Sequence, residues 1–203
     1  ANLNPDETAV INVLNKKLPF KGSGNMYSTE KKNIFTMDKW SDIVKTIQSI
    51  PPTIKTLVID DIGYVMTGEL FERSSETGYS KFTDIGKHMQ QIIFAAKSVK
   101  ADVNIVLMFH IDDEYSDKVK TGKKLKTIGT MLEDKYNPLG VVTIALFTEV
   151  SYNAEGNPTY SFITNRVNIN GVVIPAKSPE GMFPVRIPND LKVVFDKIDE
   201  YYK

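Results

Sequence analysis

Three short runs of this chain, Thr8 to Leu14, Thr56 to Ile59 and Val103 to Phe109, are apolar nearly throughout. A strand with one wet face alternates apolar and polar side chains, so a continuous run predicts a strand buried on both faces, as in a parallel sheet covered by helices. The intervening segments carry the other periodicity. Asp38 to Ile50 places Trp40, Ile43, Val44 and Ile47 at helical spacing and stops at Pro51-Pro52, and Tyr79 to Val99 does the same with Phe82, Ile85, Met89, Ile92, Ile93 and Ala96. Strand and helix in alternation predict an α/β fold with a mainly parallel central sheet, helices on both faces and right-handed crossovers. Trp40 is assigned to the core. His88, close to the apolar stripe of its helix, reads as a structural or exposed helix residue.

The second run ends in Asp60-Asp61. In an open α/β sheet, ligands lie beyond the carboxyl ends of the strands, so two acids there stand where a metal and phosphates would meet them. Asp is also common at turns and helix starts, and four apolar residues followed by two acids arise by chance in many chains. The third run ends in His110, followed by Asp112, Asp113 and Glu114, where the chain surfaces. Against a buried, satisfied imidazole stands a polar group placed to sense a phosphate. In phosphoryl hydrolysis one acid holds Mg²⁺ through water while a neighbour positions or deprotonates the attacking water. Asp60 is the candidate for the first role, with Asp61 beside it, and Asp61 for the second.

The remaining stretches are less regular. Lys16 to Thr29 reads as loop, and its Gly22-Ser23-Gly24 lacks the spacer, second Gly and Lys-Ser/Thr ending of a phosphate loop. Gly63 to Gly78 reads as a polar, partly helical connection. Asp112 to Lys126 reads as a charged loop that crowds Lys118, Lys120, Lys123, Lys124 and Lys126 near Tyr115, either solvated or tracking a single-stranded nucleic acid. A short helix is expected around Leu125 to Tyr136 and a strand over Val141 to Val150. Asn153 to Pro158 predicts a hairpin turn and an antiparallel extension of the sheet, spanning residues 150–187 of a single domain over 1–203. Val172 to Ile174 suggests one more strand, and Pro188 to Tyr202 a terminal helix. Lys177 and Arg186 flank Ser178 to Phe183, and either is a candidate cation for a neighbouring subunit's nucleotide.

Composition narrows the classes. With 203 residues, 41% hydrophobic and 25% charged, the chain suits one sizeable core, with or without a small appendage. Lys plus Arg (25) equals Asp plus Glu (25), so the whole-molecule field draws no polyanion, and contact with nucleic acid must come from a local patch. Cysteine is absent, which excludes disulfides and thiolate zinc sites, and His88 and His110 are too few for a His-rich metal site. No apolar run approaches the roughly 20 residues of a membrane span, and the expectation is a soluble, cytoplasmic protein. The chain opens at Ala1 without an initiator Met, which reads as a fragment.

Several short motifs in order resemble the phage-encoded nucleotide-binding proteins of the RecA-like P-loop superfamily, often described as AAA-type ATPases and associated with single-strand annealing and recombination. They are Ile11 to Leu14 with Leu18-Pro19-Phe20, Thr56 to Asp61, Gly78 to Gly86, Phe109-His110, Gly122 to Leu125, Lys177 to Phe183, and Ile187 to Leu191. The resemblance runs through nearly the whole chain. It implies a RecA-like ATPase core using ATP and Mg²⁺, with Asp60 and Asp61 as Walker B acids and His110 as the strand-end polar residue. It also implies a host-cell cytoplasmic setting, single-stranded DNA and other recombination or replication proteins as partners, and a homo-oligomer. One feature departs from the family: its strand and Gly-rich loop ending in Gly-Lys-Ser/Thr precede the segment that opens here at Asn2. Without that cradle, the chain as it stands is expected to bind ATP weakly or not at all. The competing reading is a catalytically silent nucleic-acid-binding or assembly module, and a metal-dependent nuclease would need more acidic ligands.

Overall fold

Thr8–Asn12 (β1) and Thr56–Asp60 (β3) are strands whose apolar middles are enclosed: β1 is buried at every residue and β3 at all but its last. The computed structural model describes residues 2–99 and 102–203. Before β3 come a single helical turn, Ser23–Met26 (α1), the two-residue strand Ile34–Phe35 (β2) and the helix Trp40–Gln48 (α2). After it come Gly63–Glu72 (α3), Ser80–Lys97 (α4) and Asn104–Leu107 (β4). The strands form one sheet in the order β2-β1-β3-β4, every pair parallel. The fold is mixed α/β with a mostly parallel sheet, as the apolar runs imply.

The helices close over this sheet with the expected stripes. Ile43 and Ile47 of α2 and Ile85, Met89, Ile92 and Ile93 of α4 are all nearly or fully inaccessible, as are Ile11 and Ile59 beneath them. Each such side chain contributes about 1.5–3 kcal/mol of apolar burial. Trp40 departs from its assignment to the core. It is half-buried and stacks on His88 with ring centroids 4.1 Å apart and planes 10° from parallel. His88 Nδ1 in turn lies 2.9 Å from both carboxylate oxygens of Glu69, and Arg73 ties Glu69, Glu76 and Asp84 together. His88 is thus the structural helix residue expected of it.

The chain divides into two compact units. The first comprises Leu3–His110 with Lys126–Pro138 and holds the parallel sheet; it includes a π-helical turn at Met131–Lys135, shorter than the helix expected over Leu125 to Tyr136. The second comprises Ile111–Leu125 and Leu139–Lys203 with the N-terminal Asn2.

The expected charged loop is a hairpin in this second unit. Ile111–Ser116 (β5) and Val119–Leu125 (β6) pair antiparallel across Asp117 and Lys118, whose φ values of 49° and 65° are the left-handed pair a two-residue hairpin turn requires. Its strands are polar because β5 is largely exposed and only Gly122 of β6 is buried, so no apolar alternation marks them. After a turn of helix at Pro138–Val141 (α5) come Phe147–Tyr152 (β7), Pro158–Ile163 (β8), Val167–Ile169 (β9), Val172–Ile174 (β10) and Arg186–Pro188 (β11). The strand expected from Val141 therefore starts at Phe147, and Leu125 belongs to β6. The terminal helix is Leu191–Tyr202 (α6), capped by Asp190, whose carboxylate accepts from the Lys192 amide at 2.9 Å.

The hairpin at Asn153 forms as expected. Its Asn153 Oδ1 accepts from the amides of Glu155 and Asn157 at 3.0 and 2.8 Å. It does not extend the parallel sheet, however. β7, β8 and β11 make their own antiparallel sheet, and β5, β6, β10 and β9 make another, in which only the β6–β10 pairing is parallel. Met182 and Phe183 pack with Phe162, Ile187 and Val194 into the core of this unit.

Candidate active site at the carboxyl edge of the parallel sheet

β1 and β3 run in register, with Asn12 opposite Asp60, so two polar residues leave the sheet side by side at its carboxyl edge. Asn12 is 2% exposed. Its Oδ1 accepts from the Lys16 amide at 3.1 Å and its Nδ2 donates to the Lys16 carbonyl at 2.5 Å, closing the loop after β1, which turns at Asn15 with φ of 53°. That clamp delivers Lys16 to the acids. Its Nζ forms an ion pair with Asp61 Oδ2.

Asp61 itself is strained and enclosed. Its φ is 58°, left-handed for a residue other than glycine, and it is buried. Asp is among the residues that tolerate this region, yet a buried outlier between a strand and a helix marks a position the surroundings hold deliberately. The turn is fixed on both sides, the Ile62 amide donating to the Met108 carbonyl at 3.1 Å and the Tyr64 amide to the Asp61 carbonyl at 2.9 Å. It aims the carboxylate between Lys16 and His110, whose Nε2 lies 3.4 Å from Asp61 Oδ1. At that length the His110 contact is electrostatic rather than a tight hydrogen bond. The imidazole is half exposed, and Tyr64 packs edge-on against it with centroids 5.3 Å apart. Asp60 is held above its ordinary carboxylate value, first by burial and then by the charge of Asp61, with Lys16 and His110 acting in the opposite direction. Lys16 is held above the ordinary lysine value, chiefly by its bond to Asp61.

The donors suit a hard cation. Asp61 Oδ2 is buried and receives no hydrogen bond of good geometry, and two adjacent carboxylates are the protein's usual share of a Mg²⁺ shell, the rest being water and substrate. Among the described residues no cluster of three or more His, Asp or Glu is placed to hold a metal, so such an ion would rest on Asp60 and Asp61 alone. A groove of about 510 Å³, lined by Pro5, Lys31, Phe35 and Pro51 among others, lies at the opposite ends of the strands and plays no part in this chemistry.

Asp60, Asp61 and His110 therefore converge within the first unit. Lys16, Asn12 and Tyr64 join them without having been singled out in the sequence. The signal for Asn12 was legible, an amide ending an otherwise apolar strand as Asp60 ends its neighbour; nothing marked Lys16 out from the other loop lysines. No protein-family model matches the chain, and no curated protein matches it at a significant level.

The other candidates lie elsewhere. Lys120 and Lys123 both pair with Asp113 across the β5–β6 hairpin, which holds Asp113 below the ordinary carboxylate value through Lys123 and then Lys120. Lys118 sits in the turn, Lys124 in β6, and Tyr115 is 61% exposed. Lys126 belongs to the first unit, where its amide donates to the His110 carbonyl at 2.9 Å. Arg186 is engaged by Glu149 through Nε at 2.6 Å and Nη2 at 3.0 Å, whereas among the described residues Lys177 Nζ reaches the Gly140 carbonyl at 3.5 Å.

Proposed function

We propose that this chain is the RecA-like core of an ATP-binding and ATP-hydrolysing protein of phage DNA recombination or replication, coupling ATP to the handling of single-stranded DNA. One observation carries the reading: at the carboxyl edge of a parallel sheet the Asp61 carboxylate lies 3.4 Å from the His110 imidazole, with Asp60 adjacent and near enough to feel the charge of both. The family-like order of motifs in the sequence supports it. A Mg²⁺ ion, when bound, would neutralise charge developing on the phosphates. Asp60 and Asp61 would hold it, with water and phosphate completing its shell. Asp61, oriented by its left-handed turn, positions the attacking water, and the half-exposed His110 offers Nε2 to a terminal phosphate while staying in touch with Asp61.

DNA would meet the hairpin tip, where Lys118 and Tyr115 supply charge and a stacking face; Lys120 and Lys123 are already compensated by Asp113. Of the two candidate cations for a neighbouring subunit, Lys177 is the less engaged, since Arg186 must first leave Glu149.

The test is ATP turnover with and without single-stranded DNA, using this chain and any longer natural form of it. Little or no turnover is expected of this chain alone, and turnover that Asp60→Ala and Asp61→Asn abolish is expected of a longer form carrying the phosphate loop; its absence from every form, with DNA binding retained, would favour a silent nucleic-acid-binding or assembly module instead.

A further inference from the structure

Lys16 lies on the acid pair in a way the proposed chemistry does not use. Its side chain is 54% exposed, so the ammonium has a path to solvent, while the carboxylate it touches is only 7% exposed. Its backbone is pinned by Asn12, but its four-carbon stem is free to swing. The Asp61 oxygen it covers is the one that lacks a well-formed hydrogen bond.

We propose that Lys16 is a resident counter-ion that occupies the cation position on Asp61 and is exchanged for a divalent metal, gating the site. The inference rests on the reading of Asp60 and Asp61 as a cation site and goes beyond it. A buried carboxylate without a counter-charge is costly, so the ammonium stabilises the metal-free protein. A divalent ion on Asp61 Oδ2 would stand where the ammonium now sits, so the two compete for that oxygen. Arrival of the ion therefore expels Lys16 into solvent at the mouth of the site. There, still tethered by Asn12, it becomes a mobile cation beside any phosphate the metal brings. The site thus answers to divalent ion concentration before it answers to substrate.

The test is Mn²⁺ binding by the full chain without nucleotide, read from the loss of the free aquo-ion's electron paramagnetic resonance signal. Lys16→Met removes the competitor and should bind Mn²⁺ about five- to tenfold tighter than the parent, on the order of 1–1.4 kcal/mol. Lys16→Gln, which keeps a donor for Asp61 should the Met variant fold poorly, should also bind tighter. Lys16→Arg, still a cation, should stay near the parent, as should Lys45→Met on the exposed face of α2; Asp61→Asn should lose binding in every background. Equal affinity in the parent, the Met and the Gln variants would overturn the exchange and leave the acid pair as a metal site. Folded variants that bind no Mn²⁺ at all would overturn both. Loss of ATP turnover with the exchange intact would refute the ATPase reading while the role of Lys16 stands.

Discussion

Asn12→Ala is the sharpest perturbation of the loop that carries Lys16. The carboxamide is 2% exposed and makes two hydrogen bonds to one residue's backbone, at 3.1 and 2.5 Å. Each is worth about 0.5–1.5 kcal/mol net, so their joint loss costs about 1–3 kcal/mol. Lys16 is half exposed, and water can re-satisfy part of what the amide leaves behind, which places the expectation near the middle, at about 2 kcal/mol. For a protein of this size that is a fall in Tm of about 4–8 °C. Urea denaturation gives the free energy, and an unchanged dependence on urea would show a change in stability without a change in the surface exposed on unfolding. Asn12→Asp keeps the acceptor but loses the Nδ2 donor and sets a third carboxylate opposite Asp60, so it should destabilise at least as much. If Asn12→Ala lies within about 0.5 kcal/mol of the parent, the clamp does not order the loop and the placement of Lys16 on Asp61 has another origin.

Two further outcomes follow from the second unit. Arg186 holds Glu149 below the ordinary Glu value, so this pair adds stability above that ordinary value and loses it as pH falls through the lowered one; the stability gap between the parent and Glu149→Gln, measured by denaturation across acid pH, should therefore close toward low pH, and a constant gap would refute the assignment. Lys118→Gly removes a left-handed strain of φ 65° from the β5–β6 turn and should stabilise the unit by about 0.5–1 kcal/mol, with destabilisation the result that contradicts the turn geometry.

The parallel sheet was legible because its strands are buried on both faces and therefore written in continuous apolar residues, with helices of clear period between them. The β5–β6 hairpin was not, because a turn made by Asp117 and Lys118 carries none of the usual glycine or asparagine and its exposed strands have no face to encode. The carboxyl-edge acids could be placed from sequence, since the end of a buried strand is fixed by where its apolar run stops. Lys16 could not, because it reaches Asp61 through a loop whose shape depends on a single buried amide. Trp40 looked like core by spacing, but spacing does not show that an exposed-side imidazole will cover its other face.

The division of the chain into units has a consequence for how it can be cut and how it is made. Neither unit is one continuous segment: Ile111–Leu125 leaves the first and Lys126–Pro138 returns to it. Truncation after Pro138 keeps every residue of the first unit but leaves the β5–β6 hairpin without β10, and no single nick frees the second unit whole. During synthesis β5 and β6 can zip at once across their short turn, but β6 must wait for β10, whose Val173 pairs with Gly122, before its second edge is satisfied. That delayed, long-range pairing is the step expected to set the pace of folding, while the parallel sheet, complete by Leu107, is already in place.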